Sequence, residues 1–141
     1  MAVVHEWLHS RAGSEKTFEQ LARALPGSDL DALTHADGVD FDVDGPITTT
    51  LLQKSRWLTV HRSMALPLMP LAWRRITSEV YDVVVTSSHA YARYFPTMGA
   101  THLSYVHSPL RYAWLPEIDG RGSSRLLSGP RAVLRMLDRR T

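Results

Sequence analysis

A chain of 141 residues, 44% hydrophobic and 21% charged, is long enough to bury one core, and with no cysteine it has no disulfide, thiolate zinc site or cysteine nucleophile. The net charge of +2 argues against nucleic acid as a partner; the arginines between Arg121 and Arg140 read either as a solvated helix face or as a side turned to an anionic surface. Neither a leader-like start nor an unbroken apolar run of the roughly 20 residues that a spanning helix needs is present, so a cytoplasmic location is expected.

The first predicted element is a strand at Ala2 to Val4, short, valine-rich and not alternating, as strands buried on both faces are. His5-Glu6-Trp7 leads from it into the loop Ser10-Arg11-Ala12-Gly13-Ser14-Glu15-Lys16. The spacing of Phe18, Leu21, Ala22 and Leu25 then predicts a helix over Glu15 to Leu25, capped by Ser14 and stopped by Pro26 and Gly27. Weaker strands at Asp29 to Leu33 and Ile47 to Leu51 flank an exposed acidic loop, Asp37 to Gly45.

A helix kinked by Pro67 and Pro70 is predicted through Val60 to Ile76, and the strongest strand at Val80 to Thr86. A short helix at His89 to Phe95, a buried strand at His102 to Val106 and a helix at Ser124 to Arg139 complete the chain. Strands alternating with helices imply one α/β domain over residues 1–141, with a mostly parallel sheet covered on both faces.

In such sheets ligands bind beyond the carboxyl ends of the strands. Each strong strand here is expected to run into a loop with a histidine: His5, then His89 after Ser87-Ser88, then His107 before Ser108-Pro109-Leu110-Arg111. A shared polar cleft is therefore expected, although a lone histidine is more often a hydrogen-bonded structural residue. Gly13, without a Cβ, lets backbone N–H groups approach an anion at the start of the first helix.

His5-Glu6-Trp7-Leu8-His9 matches H-E-x-x-H, the zinc-protease signature, but that motif works on a helix and this copy leaves a strand, so no metal site is expected. The nucleophile elbow, the Walker phosphate loop and the dinucleotide fingerprint are all missing, which disfavours a hydrolase or an NAD enzyme.

Taken together, HEWL (His5 to Leu8), AGSEK (Ala12 to Lys16), LPLMPLA (Leu66 to Ala72), YDVVVTSSHA (Tyr81 to Ala90) and YVHSPLRYAW (Tyr105 to Trp114) resemble the N-terminal half of glycosyltransferase family 4, most of all its bacterial mannosyltransferase-type members. The resemblance implies a Rossmann-like, doubly wound domain, half of the two-domain GT-B architecture, which transfers a hexose from a nucleotide sugar with retention of configuration. It implies that Gly13, Ser14, Glu15 and Lys16 line the cleft floor near the donor phosphates, and that His107 is the catalytic-centre residue near the transferred sugar. Ser88, His89, Arg93 and Arg111 fall on the acceptor side, Arg93 standing where the family more often has lysine. Ala12 stands where a second glycine is usual. No cofactor is implied.

Family members continue past Asp138-Arg139-Arg140 with the rest of this domain and with a nucleotide-sugar domain. This chain alone is therefore expected to be inactive and to leave apolar surface exposed. Its partners by resemblance are a nucleotide sugar held through that further domain and a glycan or lipid-linked acceptor. The Leu66 to Trp73 stretch with Arg74 and Arg75 would suit contact with a membrane surface, or else packing on the sheet. A non-catalytic glycan-binding or scaffold module of the same fold is the alternative.

Overall fold

β1 (Ala2–Leu8) is the centre of a sheet of five strands, all parallel, in the order β3-β2-β1-β4-β5. β2 is Asp29–His35, β3 Ile47–Thr49, β4 Val83–Ser88 and β5 Thr101–Val106. The computed structural model describes residues 1–74, 76, 80–108, 111–115 and 128–139, without the side chains of 62, 63, 111, 112, 128, 130 and 137. The strand order reverses direction between β1 and β4, so the sheet has a switch point there, as doubly wound α/β proteins do.

Both faces are covered. On one, α1 (Gly13–Ala24) lays Phe18 and Ala22 against Val3, Leu8, Leu30 and Ala32. On the other, Val4, Leu33 and Val84 pack with Trp73, Met69 and Leu66, with Tyr91 and Phe95, and with Leu134 of α6 (Ser128–Asp138). Removing a side chain such as Phe18 or Trp73, both fully buried, from water stabilises the fold by roughly 1.5–3 kcal/mol.

Several expectations are corrected. β1 runs on through Leu8, because the polar atoms of His5 and Glu6 find partners inside the fold and need no loop. α1 begins two residues early, with Ala12 as its cap, and the Ser14 hydroxyl bonds Glu15 instead of capping. Ala12 has φ −81°, extended backbone that alanine adopts freely, so the glycine usual there is not required.

The kinked helix is in fact three short pieces, α2 (Arg56–Val60), α3 (Arg62–Ala65) and α4 (Met69–Trp73), with a 3-10 turn at Leu66–Leu68. Pro67 and Pro70 remove N–H donors and tighten the chain into the 3-10 turn between α3 and α4, while the break before α3 falls at His61, which leaves the helical region with φ −97° and ψ 61°. The helix expected over His89 to Phe95 shrinks to a 3-10 turn, Ala92–Tyr94, and the N–H groups of His89, Ala90 and Ala92 donate to Glu6.

β4 starts at Val83, leaving Val80 75% exposed, and the last helix is described only from Ser128, so its expected start at Ser124 lies outside the described residues. β5 was expected to be buried, yet every residue of it is exposed. It forms the outer edge, and Leu103, Tyr105 and Val106 are each more than half exposed.

Candidate functional site

At the switch point the sheet register sets His5 of β1 opposite Ser87 of β4, and Ser87 opposite Tyr105 of β5. Residues level with one another on adjacent strands share a face, so the end of β4 becomes a platform between two histidines. His5 Nδ1 lies 2.8 Å from the Ser87 carbonyl oxygen and 3.1 Å from Ser87 Oγ. Ser87 Oγ in turn lies 2.8 Å from His107 Nε2.

The carbonyl oxygen only accepts, so His5 must carry its proton on Nδ1. Ser87 Oγ can then accept from His5 while its own proton points to His107 Nε2, which places the His107 proton on Nδ1. His89 completes the group, its ring 4.8 Å from that of His107 and 5.7 Å from that of His5, and it stacks on Trp7 at 6.1 Å.

Burial holds the His5 imidazole below its ordinary range, against the pull of Glu6, the Ser87 carbonyl and Glu15. Burial, then the neighbouring His89, does the same for His107. Both rings are therefore neutral at pH 7, each with one N–H and one lone pair. His5 Nε2 is buried and has no hydrogen-bond partner among the described residues.

Glu6 points to the opposite face and works as an internal anion. Its carboxylate accepts from the Ser88 hydroxyl and from the backbone N–H groups of His89, Ala90 and Ala92, at 2.8–3.1 Å. This carboxylate therefore shapes the loop that presents His89. Four donors around one buried carboxylate form a nest of the kind that elsewhere holds a free anion.

At the start of α1, burial pushes the Glu15 carboxyl up, but hydrogen bonds from Ser14, from its own backbone N–H and from Ser10, together with His5, outweigh it and leave it below its usual range. Glu15 thus occupies part of the amino end of the helix that an anionic ligand would otherwise meet. Gly13 is exposed, and a Cβ built on it would meet nothing within 4 Å. The floor beside it is open.

Of the residues singled out in the sequence, His89 and His107 come together, with Glu15 near enough to act on His5 and His107, while the Ser88 hydroxyl turns to the other face and donates to Glu6. Gly13 and Ser14 lie beside Glu15, while Lys16 is exposed. Arg93 lines a cavity of about 250 Å³ with Ser88 and His89, and there it is paired with Asp138, whose other oxygen accepts from Trp114 Nε1 at 2.7 Å. Its charge ties the last helix to the sheet. Arg111 opens α5 (Arg111–Trp114), but its side chain lies outside the described residues.

The sequence pattern put Ser87 in the loop after the strand and gave it no role, whereas Ser87 belongs to β4 itself. The signal available was the period of two along β4, which puts Ser87 on the His5 face and Ser88 on the Glu6 face. In H-E-x-x-H, His5 and Glu6 lie on opposite faces of a strand and His9 bonds Thr34 Oγ1 at 2.8 Å. Among the described residues no group of three or more His, Cys, Asp or Glu is placed to hold a metal ion.

These features define an α/β protein with an open parallel sheet and, at its switch point, three histidine rings gathered around Ser87. Comparison with family models, with curated proteins and with solved structures finds no match to the chain. The class rests on the sheet and the site alone.

Proposed function

We propose that this chain is the acceptor-side domain of a retaining glycosyltransferase of family 4 type, moving a hexose, mannose first among candidates, from a nucleotide sugar to a glycan or lipid-linked acceptor. The observation that carries the reading is the meeting of His5, His89 and His107 around Ser87 at the switch point, beside the open floor at Gly13. A pyranose is read by donors and acceptors fixed on a shaped wall, and neutral imidazoles supply both without burying a charge.

In this reading His107 Nδ1–H faces the transferred sugar, Ser87 holds that tautomer, and His89 meets the acceptor. Departure of the diphosphate needs cationic donors aimed at the developing charge. Arg93 is paired with Asp138, so those donors would belong to a nucleotide-sugar domain working across the crevice. The domain by itself is then a binder without turnover.

Amide NMR of the labelled protein with mannosyl and glucosyl oligosaccharides tests this. Shifts confined to residues 10–15, 87–90 and 107 are expected, with none from GDP or UDP. Tight binding of either nucleotide, or glycan shifts elsewhere, sinks the reading. One observation favours the non-catalytic alternative: Glu6 and Glu15, the acids of this edge, are both satisfied internally. Sugar transfer after adding a family 4 nucleotide-sugar domain in trans would decide between the two.

Membrane-surface contact belongs to the same proposal. No helix among the described residues is long and apolar enough to cross a membrane. Trp57, Val60, Met64, Leu68 and Leu71 are, however, 42–67% exposed along α2 to α4. Leu68→Glu should reduce co-sedimentation with anionic liposomes severalfold, and equal pelleting of both proteins ends the idea.

A further inference from the structure

Asp31 is the third residue of β2 and level with Val4 on one side and Thr48 on the other. It is 3% exposed, and among the described residues its Oδ2 has no hydrogen-bond partner. A buried carboxylate without donors is among the costliest groups a fold can carry, so an unpaired one calls for an explanation. Asp31 lines a cavity of about 300 Å³ together with Asp29, Asp44, Thr48, Ile76 and Tyr81. No basic side chain among the described residues lines it.

The cavity is separate from the histidine cluster. It opens around the amino ends of β2 and β3, whereas His5, Ser87 and His107 lie toward the carboxyl ends of their strands. Asp31 also alternates with Leu30 and Ala32, which pack against α1 on the face that carries His5.

We infer that this cavity is a binding site for a small aliphatic amine, its ammonium group seated on Asp31 and its hydrocarbon part against Ile76 and Tyr81. An acidic wall with no internal cation takes a cation. A metal ion needs several ligands converging on one point, and no group of three or more His, Cys, Asp or Glu among the described residues is placed for that. An ammonium group needs only one carboxylate and a neighbouring acceptor, which Thr48 Oγ1 can supply, and its carbon stem suits the mixed wall. Asp29 and Asp44, both exposed at the mouth, would draw a cation in or hold the second end of a diamine.

Burial first, and Asp29 second, push the Asp31 carboxyl up to about 7, so a proton and a cation compete for it near neutral pH. An amine would displace that proton. The inference does not rest on the glycosyltransferase reading.

Carboxyl-carbon NMR of Asp31 in the intact chain tests it, with the pH titration run in putrescine, n-butylamine, sodium chloride or calcium chloride at matched ionic strength. The expected result is a saturable fall of about one unit or more in the apparent pKa of Asp31 with either amine and not with sodium. Amide shifts should appear at residues 28–31 and 44–48 and leave 87–107 still. Asp29→Asn and Asp44→Asn should each weaken the effect severalfold while the protein stays folded. A pKa that amines leave unmoved, or that sodium moves equally, or that calcium alone moves, overturns the proposal.

Discussion

Glu6 and Asp31 sit on neighbouring strands of one sheet, 0% and 3% exposed, yet their surroundings differ. Glu6 is held by one hydroxyl and three backbone N–H groups. Among the described residues Asp31 has an oxygen with no partner, and the charge that acts on it is that of another acid, Asp29. Burial alone therefore does not mark a functional carboxylate. A buried acid whose donors are supplied builds structure, and one whose donors are missing waits for a ligand or a proton.

The largest effect that would sharpen the contrast is expected from Glu6→Ala. It strands three backbone N–H groups, those of Ala90 and Ala92 buried and that of His89 half-buried, and should cost at least about 3 kcal/mol in urea unfolding, with loss of hydrogen-exchange protection across residues 88–92. A cost below about 1 kcal/mol would put Glu6 in the same class as Asp31 and break the comparison.

Asp31 should act through pH. Its folded pKa of about 7 lies above the ordinary carboxyl value of 3.8, so its contribution is full below the lower value and is lost as pH rises through the upper one. Asp31→Asn should remove a decline of the order of 2–4 kcal/mol between pH 4 and 8, leaving the variant more stable than the parent at pH 8. Parallel stability curves for the two proteins would show that the carboxyl is not raised.

His5 should do the reverse and by less. Burial lowers its pKa, so its contribution is whole above the ordinary imidazole value and is lost as pH falls through the folded one. His5→Gln should flatten the acid side of the curve, which thermal unfolding between pH 4.5 and 7 would register. The smallest effect belongs to Gly13→Ala. With open space around the new Cβ, stability should change by no more than about 0.5 kcal/mol, while glycan-induced shifts at residues 10–15 diminish.

The sheet was legible because Val3-Val4 and Val83-Val84-Val85 can only be buried on two faces, and because helical spacing at Phe18 and Ala22 separates them. The histidine edge followed from the rule about strand ends. What stayed hidden needed partners far along the chain. That β1 continues through Glu6 depends on donors from residues 88–92, and no local pattern announces that a glutamate will replace a helix turn. Arg93 looked like a ligand-facing cation by its motif, and only the return of α6 gives it Asp138. Asp31 read as an ordinary strand residue, since alternation predicts its face but not the emptiness around it.

The grip of Glu6 on residues 88–92 also orders events during synthesis. β1 and β2 lie close in sequence and can pair early, but the partners of Glu6 and His5 emerge some eighty residues after them. Closing so long a loop is slow, and contacts of this range set the folding rate of parallel sheets. While the ribosome is still making β4, one edge of β1 stays open with a charged glutamate on it. That charge discourages pairing with a foreign strand until the rightful one arrives.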